Sequence, residues 1–463
     1  MSILLIDPPR GIISKGTLWR TVKRKLPALG LAYIAAYLEK NGFAVSIIDM
    51  NVEEIELQRL AEIIEANKYQ FLGITATTVQ INSALHIAQE IKKVLPELKI
   101  VMGGPHPSVM TDEILVNTFV DYVVRGEGEL TMLELVKGDD PQNILGLSFK
   151  RNGNLVHNHS RPFIEDLDKM PFPARHLLPM DKYSPTPGNY LRLPAASMIT
   201  SRGCPGRCTF CNTDMFGKTI RFRTAKNISE EITTLIKDYK IKEVSFYDDT
   251  FSVNKKNIQE LCSIILRDNI DITWSCMSRI DCMDPNLLKQ MKKPGCHSIC
   301  YGIESADREI LENINKRISL DRVQEVLNWT KEAKIQVRVS FMFGNPGETQ
   351  STMEKTIRYA ISLEPDIFIF NITTPFPGTA MFDWAKNNNY LKVFNWDDYD
   401  LGKVVMELPT VDPELIKKYY KLAYRSCYFR LGYFRQRLSK IRSFSALMMH
   451  IRIFKDMLLS SIQ

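Results

Sequence analysis

The stretch Ser201-Arg-Gly-Cys-Pro-Gly-Arg-Cys-Thr-Phe-Cys-Asn212 places Cys204, Cys208 and Cys211 in a CxxxCxxC spacing. A four-iron, four-sulfur cluster normally takes one cysteine per iron, so three neighbouring cysteines leave one iron open to a ligand that is not protein. A structural zinc knuckle would need a fourth cysteine or histidine at matching spacing. The other cysteines are scattered and form no second CxxC pair. The spacing therefore favours a cluster with an open iron.

The CxxxCxFC form of this run, with Phe210 directly before the third cysteine, resembles the signature of the radical S-adenosylmethionine (SAM) enzymes. The resemblance implies that Cys204, Cys208 and Cys211 hold a 4Fe-4S cluster whose open iron binds the amino and carboxylate groups of SAM. It also implies reductive cleavage of SAM to a 5′-deoxyadenosyl radical, which abstracts hydrogen from an unactivated carbon. An electron donor of the flavodoxin or ferredoxin type is then expected.

Length and composition indicate a globular protein with room for two or three domains, because the chain has 463 residues. Residues 1–7 are too short for the apolar core of a signal peptide, and the apolar run 27–38 is shorter than the roughly 20 residues of a membrane span. Unevenly spaced cysteines without a leader indicate a reducing cytoplasm. The net charge of +7 is spread along the chain without a nucleic-acid-binding signature, so we expect a small-molecule substrate and no nucleic acid.

Residues 1–137 alternate short β-rich runs with helical patterns, which predicts βαβ units and a parallel sheet. Strands are predicted at 3–7, 44–49, 71–75, 100–103 and 122–125, and helices near 29–41, 53–67, 81–95, 108–118 and 129–136. Five strands in this rhythm predict a doubly wound α/β domain, flavodoxin-like or Rossmann-like. Such a domain binds ligands outside the carboxyl ends of its strands.

Runs of small, polar or turn-forming residues follow four of these strands, and each run alone is ordinary turn chemistry. They are Asp7-Pro-Pro-Arg10, Thr75-Ala-Thr-Thr78, Gly103-Gly-Pro-His-Pro107 and Gly126-Glu-Gly-Glu129. Their order, together with the run 27–38 and the later cysteines, resembles the cobalamin-binding radical SAM enzymes across most of the chain. The resemblance implies a cobalamin site formed by Pro8, Leu29, Gly30, Thr75, Thr77, Gly103, Gly104, His106, Gly126 and Glu127.

A lower histidine ligand for cobalt is missing at the expected place. Corrinoid domains of the methionine synthase type carry Asp-x-His-x-x-Gly, whereas Asp7 is followed by Pro9 and Ile12 at the positions of the histidine and glycine. The resemblance therefore implies cobalamin without a protein histidine on cobalt. His106 is a corrin contact in this interpretation, and a loop histidine hydrogen-bonded to backbone is the alternative.

Residues 138–190 are rich in turn formers and are predicted to be a linker with a small hairpin. The βα rhythm resumes between 191 and 400, with strands predicted at 197–200, 243–247, 272–277, 298–303, 336–343 and 367–372. Six βα units predict a partial TIM barrel of the (β/α)6 type, whose chemistry lies at the carboxyl ends of the strands. The cysteine run follows the first of these strands and would lie at that face.

Polar or glycine-containing runs also end the later barrel strands. The resemblance implies that Asp248 receives the methionine amine of SAM, that Glu304 meets the ribose, and that Gly344 and Phe210 lie beside the adenine. By itself, the Asp248-Asp249 pair is typical of a solvated turn. Neither a Ser-His-Asp arrangement nor an HExxH motif is indicated, which fits chemistry carried by cofactors.

The last predicted region, 401–463, is a helical tail. From residue 415 onward it has eleven basic side chains and one acidic side chain, with aromatic residues interleaved. A basic amphipathic helix can lie on an anionic membrane surface, so peripheral membrane contact is one interpretation. The alternative is a helical cap that packs its aromatic residues on the barrel.

The reaction remains open at this point. The first interpretation is a cobalamin-dependent C-methyltransferase that acts on a small molecule or natural-product intermediate. The second keeps the same cofactors for cyclisation, ring contraction or oxidation, as in the anaerobic magnesium-protoporphyrin cyclase type. The third is a radical SAM dehydratase or epimerase with a vestigial cobalamin domain. A non-enzymatic iron-sulfur module is disfavoured, because a cluster holder needs neither a barrel nor SAM loops.

Overall fold

The computed structural model describes residues 2–10, 26–185 and 190–433, which form two α/β units one after the other. The strands of the first unit are β1 Ser2–Asp7, β2 Ala44–Asp49, β3 Phe71–Thr75, β4 Lys99–Gly103, β5 Tyr122–Val124, β6 Leu147–Arg151 and β7 Asn154–His157. Its helices are α1 Leu29–Lys40, α2 Leu57–Ala66, α3 Ile81–Val94, α4 Pro105–Val109, α5 Thr111–Leu115 and α6 Gly128–Lys137.

The first sheet has the order β2-β1-β3-β4-β5-β6-β7, and its first five strands are parallel. Alternate side chains of β1 enter two different cores, as the two-residue period of a strand requires. Ile3 and Leu5 pack with α1 and α6, whereas Leu4 and Ile6 pack with α2 and α3. Helices therefore cover both faces, and the predicted doubly wound, flavodoxin-like architecture is confirmed.

Two features of the first unit differ from the sequence-based expectation. The helix predicted at 108–118 is interrupted at Met110, whose φ of −113° and ψ of 40° separate α4 from α5. The hairpin expected in a linker instead joins the first sheet, because β6 pairs antiparallel with β5 and β7 with β6. The first unit thus continues to His157, beyond the boundary expected at residue 137.

The second unit is built on a parallel sheet of six strands. The strands of this sheet are β8 Ala195–Met198, β11 Glu243–Phe246, β12 Thr273–Ser278, β13 Cys296–Glu304, β14 Gln336–Phe343 and β15 Ile367–Ile372. Two short strands, β9 Ser201–Arg202 and β10 Arg221–Phe222, form a separate antiparallel ribbon. Its helices are α7 Ala225–Tyr239, α8 Lys255–Arg267, α9 Pro285–Lys292, α10 Arg308–Asn313, α11 Leu320–Glu332, α12 Gln350–Ser362, α13 Ala380–Asn387 and α14 Pro413–Tyr428.

The order β8-β11-β12-β13-β14-β15 confirms the predicted partial barrel of six βα units. Along β14, Val337, Val339 and Phe341 are fully buried on the outer, helix-covered face. Arg338 and Ser340 lie between them in sequence, point to the inner face and are only partly buried. The inner face of the sheet, called the lumen below, is therefore accessible, whereas the outer face is closed.

The helix α14 covers the open edge of the barrel. Its Tyr424 hydroxyl accepts a hydrogen bond from the Phe370 amide and donates one to the Phe370 carbonyl, both at 3.1 Å. The Tyr428 hydroxyl does the same at Phe368, at 3.0 and 2.7 Å. An exposed strand edge is a template for unwanted pairing, and these side chains occupy it. The cap interpretation therefore holds for α14.

The remainder of the tail, residues 434–463, lies outside the described residues, as do six of its eleven basic side chains. The membrane interpretation of that stretch stays a prediction. Within the described ranges, no helix is both long enough and apolar enough to span a bilayer.

Candidate functional site

The cysteine loop runs between β9 and β10, beyond the carboxyl end of the first barrel strand. It begins with Gly203, whose φ of +97° lies in the left-handed region that favours glycine. A Cβ atom at Gly203 would lie 2.5 Å from the Thr219 carbonyl oxygen, so no larger residue fits at this turn. This turn begins the loop that holds Cys204, Cys208 and Cys211.

Gly206 lies between two of the thiols. A Cβ atom at Gly206 would be 3.3 Å from the Cys204 sulfur and 4.0 Å from the Cys208 sulfur, so glycine keeps the space beside both sulfurs free. Burial raises the pKa of the Cys208 thiol, and the positive charges of Lys316 and Arg279 oppose that rise. Cationic neighbours favour the thiolate, which is the form that binds iron.

The donor set fits an iron-sulfur cluster better than a single zinc ion. Over residues 2–10, 26–185 and 190–433, no three histidine, cysteine, aspartate or glutamate side chains converge closely enough to hold one metal ion. In a cubane cluster each cysteine binds a different iron, so the sulfurs surround a volume and do not converge on a point. Three thiols on one loop, without a fourth ligand, match that requirement.

The loop is fixed at its centre next to Phe210. The Thr209 amide donates to the Ile314 carbonyl at 3.0 Å, and the Met381 amide donates to the Thr209 carbonyl at 2.9 Å. Phe210 itself is partly buried against the barrel core. Its ring therefore has a defined position between the second and third cysteines, and the adenine contact expected for it stays a prediction.

Asp248 does not have the role predicted from the resemblance. Its carboxylate is 1% exposed and accepts hydrogen bonds from the Thr200 amide at 2.6 Å, the Ser201 amide at 3.1 Å and the Thr200 hydroxyl. Burial raises the pKa of Asp248 to about 6, although these hydrogen bonds lower it. Because its oxygens are already used, Asp248 braces the start of the cysteine loop and is not open to the SAM amine.

Asp249, the next residue, is exposed and lies beside the third cysteine. Burial of the sulfur raises the pKa of Cys211 to about 12, and the negative charge of Asp249 adds to that rise. Among the two aspartates, Asp249 is thus the one whose charge reaches the cysteine loop. The sequence contains a signal for this difference. Successive side chains of a strand point to opposite sides, so Asp249 is expected to point away from the side on which Asp248 is buried.

Glu304 ends β13 in a strained conformation. Its φ of +72° lies in the left-handed region, which is unusual for a residue other than glycine, and the pairing with β14 shifts register at this point. One carboxylate oxygen lies 3.2 Å from the Lys316 ammonium and the other accepts from the Ser340 hydroxyl at 3.3 Å. The strain holds a buried carboxylate at the carboxyl end of the barrel, where a ligand contact was predicted.

The backbone conformation and a close neighbour both require glycine at position 344. Its φ is +84°, and an added Cβ would lie 3.2 Å from the Cδ1 atom of Ile416 in α14. Its amide donates to the Glu348 carboxylate at 2.8 Å. The close approach at Gly344 is therefore to the capping helix α14. The adenine contact expected for Gly344 stays a prediction.

Several residues predicted to contact cobalamin remain accessible at the carboxyl ends of the first sheet. An added Cβ at Gly30 or Gly126 would meet no atom of the described residues within 4 Å, and Gly126 has a φ of +73°. Thr77 is exposed beyond the end of β3. The other predicted contacts in this region are less accessible: Pro8 and Leu29 are buried, and Thr75 and Gly103 are partly buried.

Three other predicted cobalamin contacts are used inside the protein. A Cβ at Gly104 would lie 2.7 Å from the Thr75 hydroxyl, so this glycine permits packing of two loops. His106 is fully buried, with its ring 5.0 Å from that of Trp396 in an edge-on arrangement, and burial lowers its pKa to about 4. Glu127 is 6% exposed and paired with arginines of the barrel. The expected cobalamin contacts of His106 and Glu127 are therefore corrected, whereas that of Gly104 stays a prediction.

The Glu127 contacts connect the two units. Arg202, two residues before the first cysteine, donates to Glu127 at 2.9 Å and to Glu129 at 2.6 Å, and Arg221 donates to both oxygens of Glu127 at 2.9 and 3.0 Å. Burial by itself would lower the pKa of Arg202, but Glu129 and Glu127 raise it above its ordinary value. The loop after β5 and the loop that holds the cysteines therefore form one buried ion-pair network.

A second contact closes the same region from the other side. Gly378, in the loop after β15, has a φ of +79°, and an added Cβ would lie 2.5 Å from Val109 of α4 and 2.9 Å from the side-chain amide of Asn212. The carboxyl ends of both sheets thus face each other across the cysteine loop. Sequence reasoning had no access to this arrangement, because it depends on contacts between residues far apart in the chain.

Fold and site together define a barrel enzyme with a cluster-type cysteine loop and an added doubly wound domain. Family profiles described as "B12 binding domain" and "Radical SAM superfamily" match residues 17–136 and 198–360. The "Uncharacterized methyltransferase PH0819" of Pyrococcus horikoshii is 38% identical over 437 residues, 93% of each chain. The chain belongs to the cobalamin-binding radical SAM enzymes.

Two further comparisons bear on the reaction and the fold. The anaerobic magnesium-protoporphyrin IX monomethyl ester cyclase of Rubrivivax gelatinosus is 27% identical over 398 residues, 83% of this chain and 71% of that protein. The solved structure of the cobalamin-dependent SAM radical enzyme OxsB, with aqua-cobalamin and SAM bound, has a TM-score of 0.77 at 15% identity. That match covers 100% of this chain and 72% of the other, and it supports the fold assignment.

Proposed function

We propose that this protein is a C-methyltransferase that uses a 4Fe-4S cluster, SAM and cobalamin to methylate an unactivated carbon of a small-molecule intermediate. The observation that carries the proposal is that the carboxyl ends of both sheets adjoin at Gly378, Val109 and Asn212. A methyl donor and a hydrogen-abstracting radical can act on the same carbon only if their binding sites are neighbours. The 38% identity to a protein named as a methyltransferase supports the same reaction.

The cofactors would supply the radical and the methyl group, and the protein would hold and orient them. Cys204, Cys208 and Cys211 are the proposed cluster ligands, supported by the glycine beside their sulfurs and the cations near Cys208. Asp249 replaces Asp248 as the proposed acceptor for the methionine amine of SAM, because it is exposed beside Cys211.

Other proposed SAM contacts follow from position. Glu304 is the proposed ribose contact, supported by its strained placement at the strand end. Phe210 is the proposed adenine contact, and Lys316 and Arg279 supply positive charge beside Cys208, near the proposed place of the SAM carboxylate. Both cations also form ion pairs with neighbouring carboxylates, Lys316 with Glu304 and Arg279 with Asp281.

The proposed cobalamin site is formed by Gly30, Gly126 and Thr77 at the accessible strand ends, with Pro8, Leu29, Thr75 and Gly103 behind them. His106 cannot serve as a cobalt ligand in this conformation, because it is fully buried against Trp396. We therefore expect cob(II)alamin in the holoenzyme to lack superhyperfine splitting from an axial protein nitrogen in electron paramagnetic resonance spectra.

The reaction is tested by an anaerobic product assay with the reconstituted holoenzyme, a flavodoxin-type or chemical electron donor, methyl-deuterated SAM and a metabolite extract. Methyl transfer predicts S-adenosylhomocysteine, 5′-deoxyadenosine and one labelled metabolite. A Cys208→Ala variant should form none of the three. Formation of 5′-deoxyadenosine with turnover of a metabolite but without S-adenosylhomocysteine would refute methyl transfer.

That last outcome would favour the second candidate, a non-methylating radical reaction such as cyclisation or oxidation. The 27% identity to the magnesium-protoporphyrin cyclase over most of both chains supports this candidate. Both candidates use the same three cofactors, so the cysteine variant controls for either one.

A further inference from the structure

The lumen of the barrel contains one cation whose partner is not provided by the surrounding strands. Arg338 lies on the inner face of β14, paired in register with Cys300 of β13 and Ile367 of β15. Its Nε atom is buried without a hydrogen-bond partner. Across the three described segments, the guanidinium of Arg338 makes no hydrogen bond, ion pair or cation-π contact.

The lumen carboxylates that could neutralise Arg338 are already paired. Glu304, at the carboxyl end of β13, lies 3.2 Å from the Lys316 ammonium. Glu243, the first residue of β11, accepts from the His297 ring at 2.8 Å and from the amides of the segment before β8. The positive charge of Arg338 is therefore not balanced by the strands that surround it.

An arginine stays protonated in proteins, so Arg338 cannot relieve this situation by losing a proton. A partly buried charge without a partner is unfavourable, and five donors in a planar fork match an oxyanion in two-point geometry. Such a side chain on the partly exposed inner face of the sheet gains most from a ligand that brings the missing negative charge.

We propose that Arg338 binds an oxyanion, a carboxylate or a phosphate, of the substrate inside the lumen. This inference rests on the proposed function and adds the chemical class of the substrate. Arg338 lies five residue steps before Phe343 at the end of β14, which is about 17 Å along a strand. The anionic group is thus held deep in the lumen, and the remainder of the substrate extends toward the cysteine loop.

The walls above and beside Arg338 indicate the rest of the ligand. Ile367 and Ile369 lie on the inner face of β15 and are partly exposed, and Met277 of β12 is 38% exposed. Asn371 and Ser340 add two uncharged polar groups nearer the strand ends. The lumen therefore suits an organic acid or phosphate ester with an apolar carbon body.

The test is calorimetric titration of the reconstituted holoenzyme, saturated with SAM, with succinate and with inorganic phosphate as separate probes. We expect saturable binding of at least one probe, weakened about tenfold or more in Arg338→Gln and partly restored in Arg338→Lys. Tighter binding of succinate would identify a carboxylate site, and tighter binding of phosphate a phosphate site. Arg358→Gln, which removes an arginine of the outer helix α12, is the matched control and should bind like the wild type.

A second readout uses the neighbour in register, Cys300. A probe held by Arg338 should slow alkylation of Cys300, measured by peptide mass spectrometry, in the wild type and not in Arg338→Gln. Equal affinities in the wild type and Arg338→Gln, or no saturable binding of either probe, would overturn the inference. Formation of 5′-deoxyadenosine by the wild type reports on the proposed function separately, since its failure would count against that function and not against anion binding.

Discussion

Asp248 and Asp249 are neighbours in the chain with different surroundings, and this separates their expected effects. The Asp248 carboxylate accepts hydrogen bonds from two backbone amides and one hydroxyl, whereas Asp249 is exposed beside Cys211. We expect Asp248→Asn to lower the unfolding free energy by about 1–3 kcal/mol, because its amide group would face a donor. We expect Asp249→Asn to leave the thermal midpoint unchanged and to weaken SAM binding roughly tenfold.

Thermal unfolding and SAM titration of both isosteric variants check this prediction. The two substitutions are matched controls for each other, since each removes one charge from the same turn. If Asp248→Asn weakened SAM binding at unchanged stability and Asp249→Asn did not, the assignment of the two roles would have to be exchanged.

His106 should make the stability of the protein depend on pH. Its ring is fully buried between Thr78 and Trp396, and burial lowers its pKa to about 4, although Glu113 lies 4.0 Å from its Nε2 atom. A lowered pKa means that the unfolded state binds the proton more readily than the folded state between pH 6.5 and 4. Stability conferred by the neutral ring is therefore present near pH 7 and is lost as the pH falls.

The expected loss is about 3 kcal/mol between pH 7 and pH 4, from a shift of this size. Denaturant unfolding of the wild type and of His106→Gln across this range measures it. Glutamine has no titrating group, so the difference in unfolding free energy between the two proteins should narrow on acidification. A constant difference over the whole range would contradict the assignment of a buried neutral ring.

At the level of elements, α14 and the edge strand β15 form one unit. The hydroxyls of Tyr424 and Tyr428 replace the neighbouring strand that a closed barrel would have. We expect Tyr424→Phe combined with Tyr428→Phe to lower the unfolding free energy by about 2 kcal/mol, since buried backbone groups lose their partners. Hydrogen exchange at the Phe368 and Phe370 amides should become faster.

Tyr390→Phe provides the control for that experiment. Its ring packs on Trp384, and the hydroxyl has no hydrogen bond within the described part of the chain. We expect this variant to keep slow exchange at both amides. Unchanged hydrogen exchange at the Phe368 and Phe370 amides in the double variant would show that packing of the tyrosine rings, and not the hydrogen bonds of their hydroxyls, protects the edge of β15.

The elements themselves were largely predictable from the sequence. The five parallel strands of the first sheet and the six of the barrel were predicted within a few residues, because buried parallel strands leave short apolar runs between helical patterns. The hairpin β6-β7 was recognised as a hairpin, but its pairing with β5 was not. A strand pattern reports local periodicity and carries no information about which neighbour it joins.

The candidate site was predictable in outline and less so in the roles of single residues. The cysteine spacing is local, so it can be recognised without the fold. Glu127 and His106 were predicted as ligand contacts, whereas the structure pairs Glu127 with Arg202 and packs His106 against Trp396. Each of those partners lies more than 70 residues away, and only the assembled fold reveals which polar groups remain free.

On the scale of the whole molecule, buried ion pairs join the two units. Arg202 bridges Glu127 and Glu129, and Arg221 supports Glu127. If Arg202 is removed, Glu127 remains paired with Arg221. Glu129, which is 4% exposed, loses its ion pair with Arg202. An isolated buried carboxylate is strongly destabilising, whereas an isolated surface carboxylate is not.

We therefore expect Arg202→Met to lower the unfolding free energy by about 3 kcal/mol and to speed hydrogen exchange in both α6 and β9. Arg192→Met is the matched control, because it removes an arginine paired with Asp271, a residue whose side chain is 80% exposed, and should cost less than about 1 kcal/mol. Adding Glu129→Gln to Arg202→Met should recover part of the loss, since it removes the unpaired charge. Equal losses in Arg202→Met and Arg192→Met would show that this ion-pair network does not fix the position of the cysteine loop against the first unit.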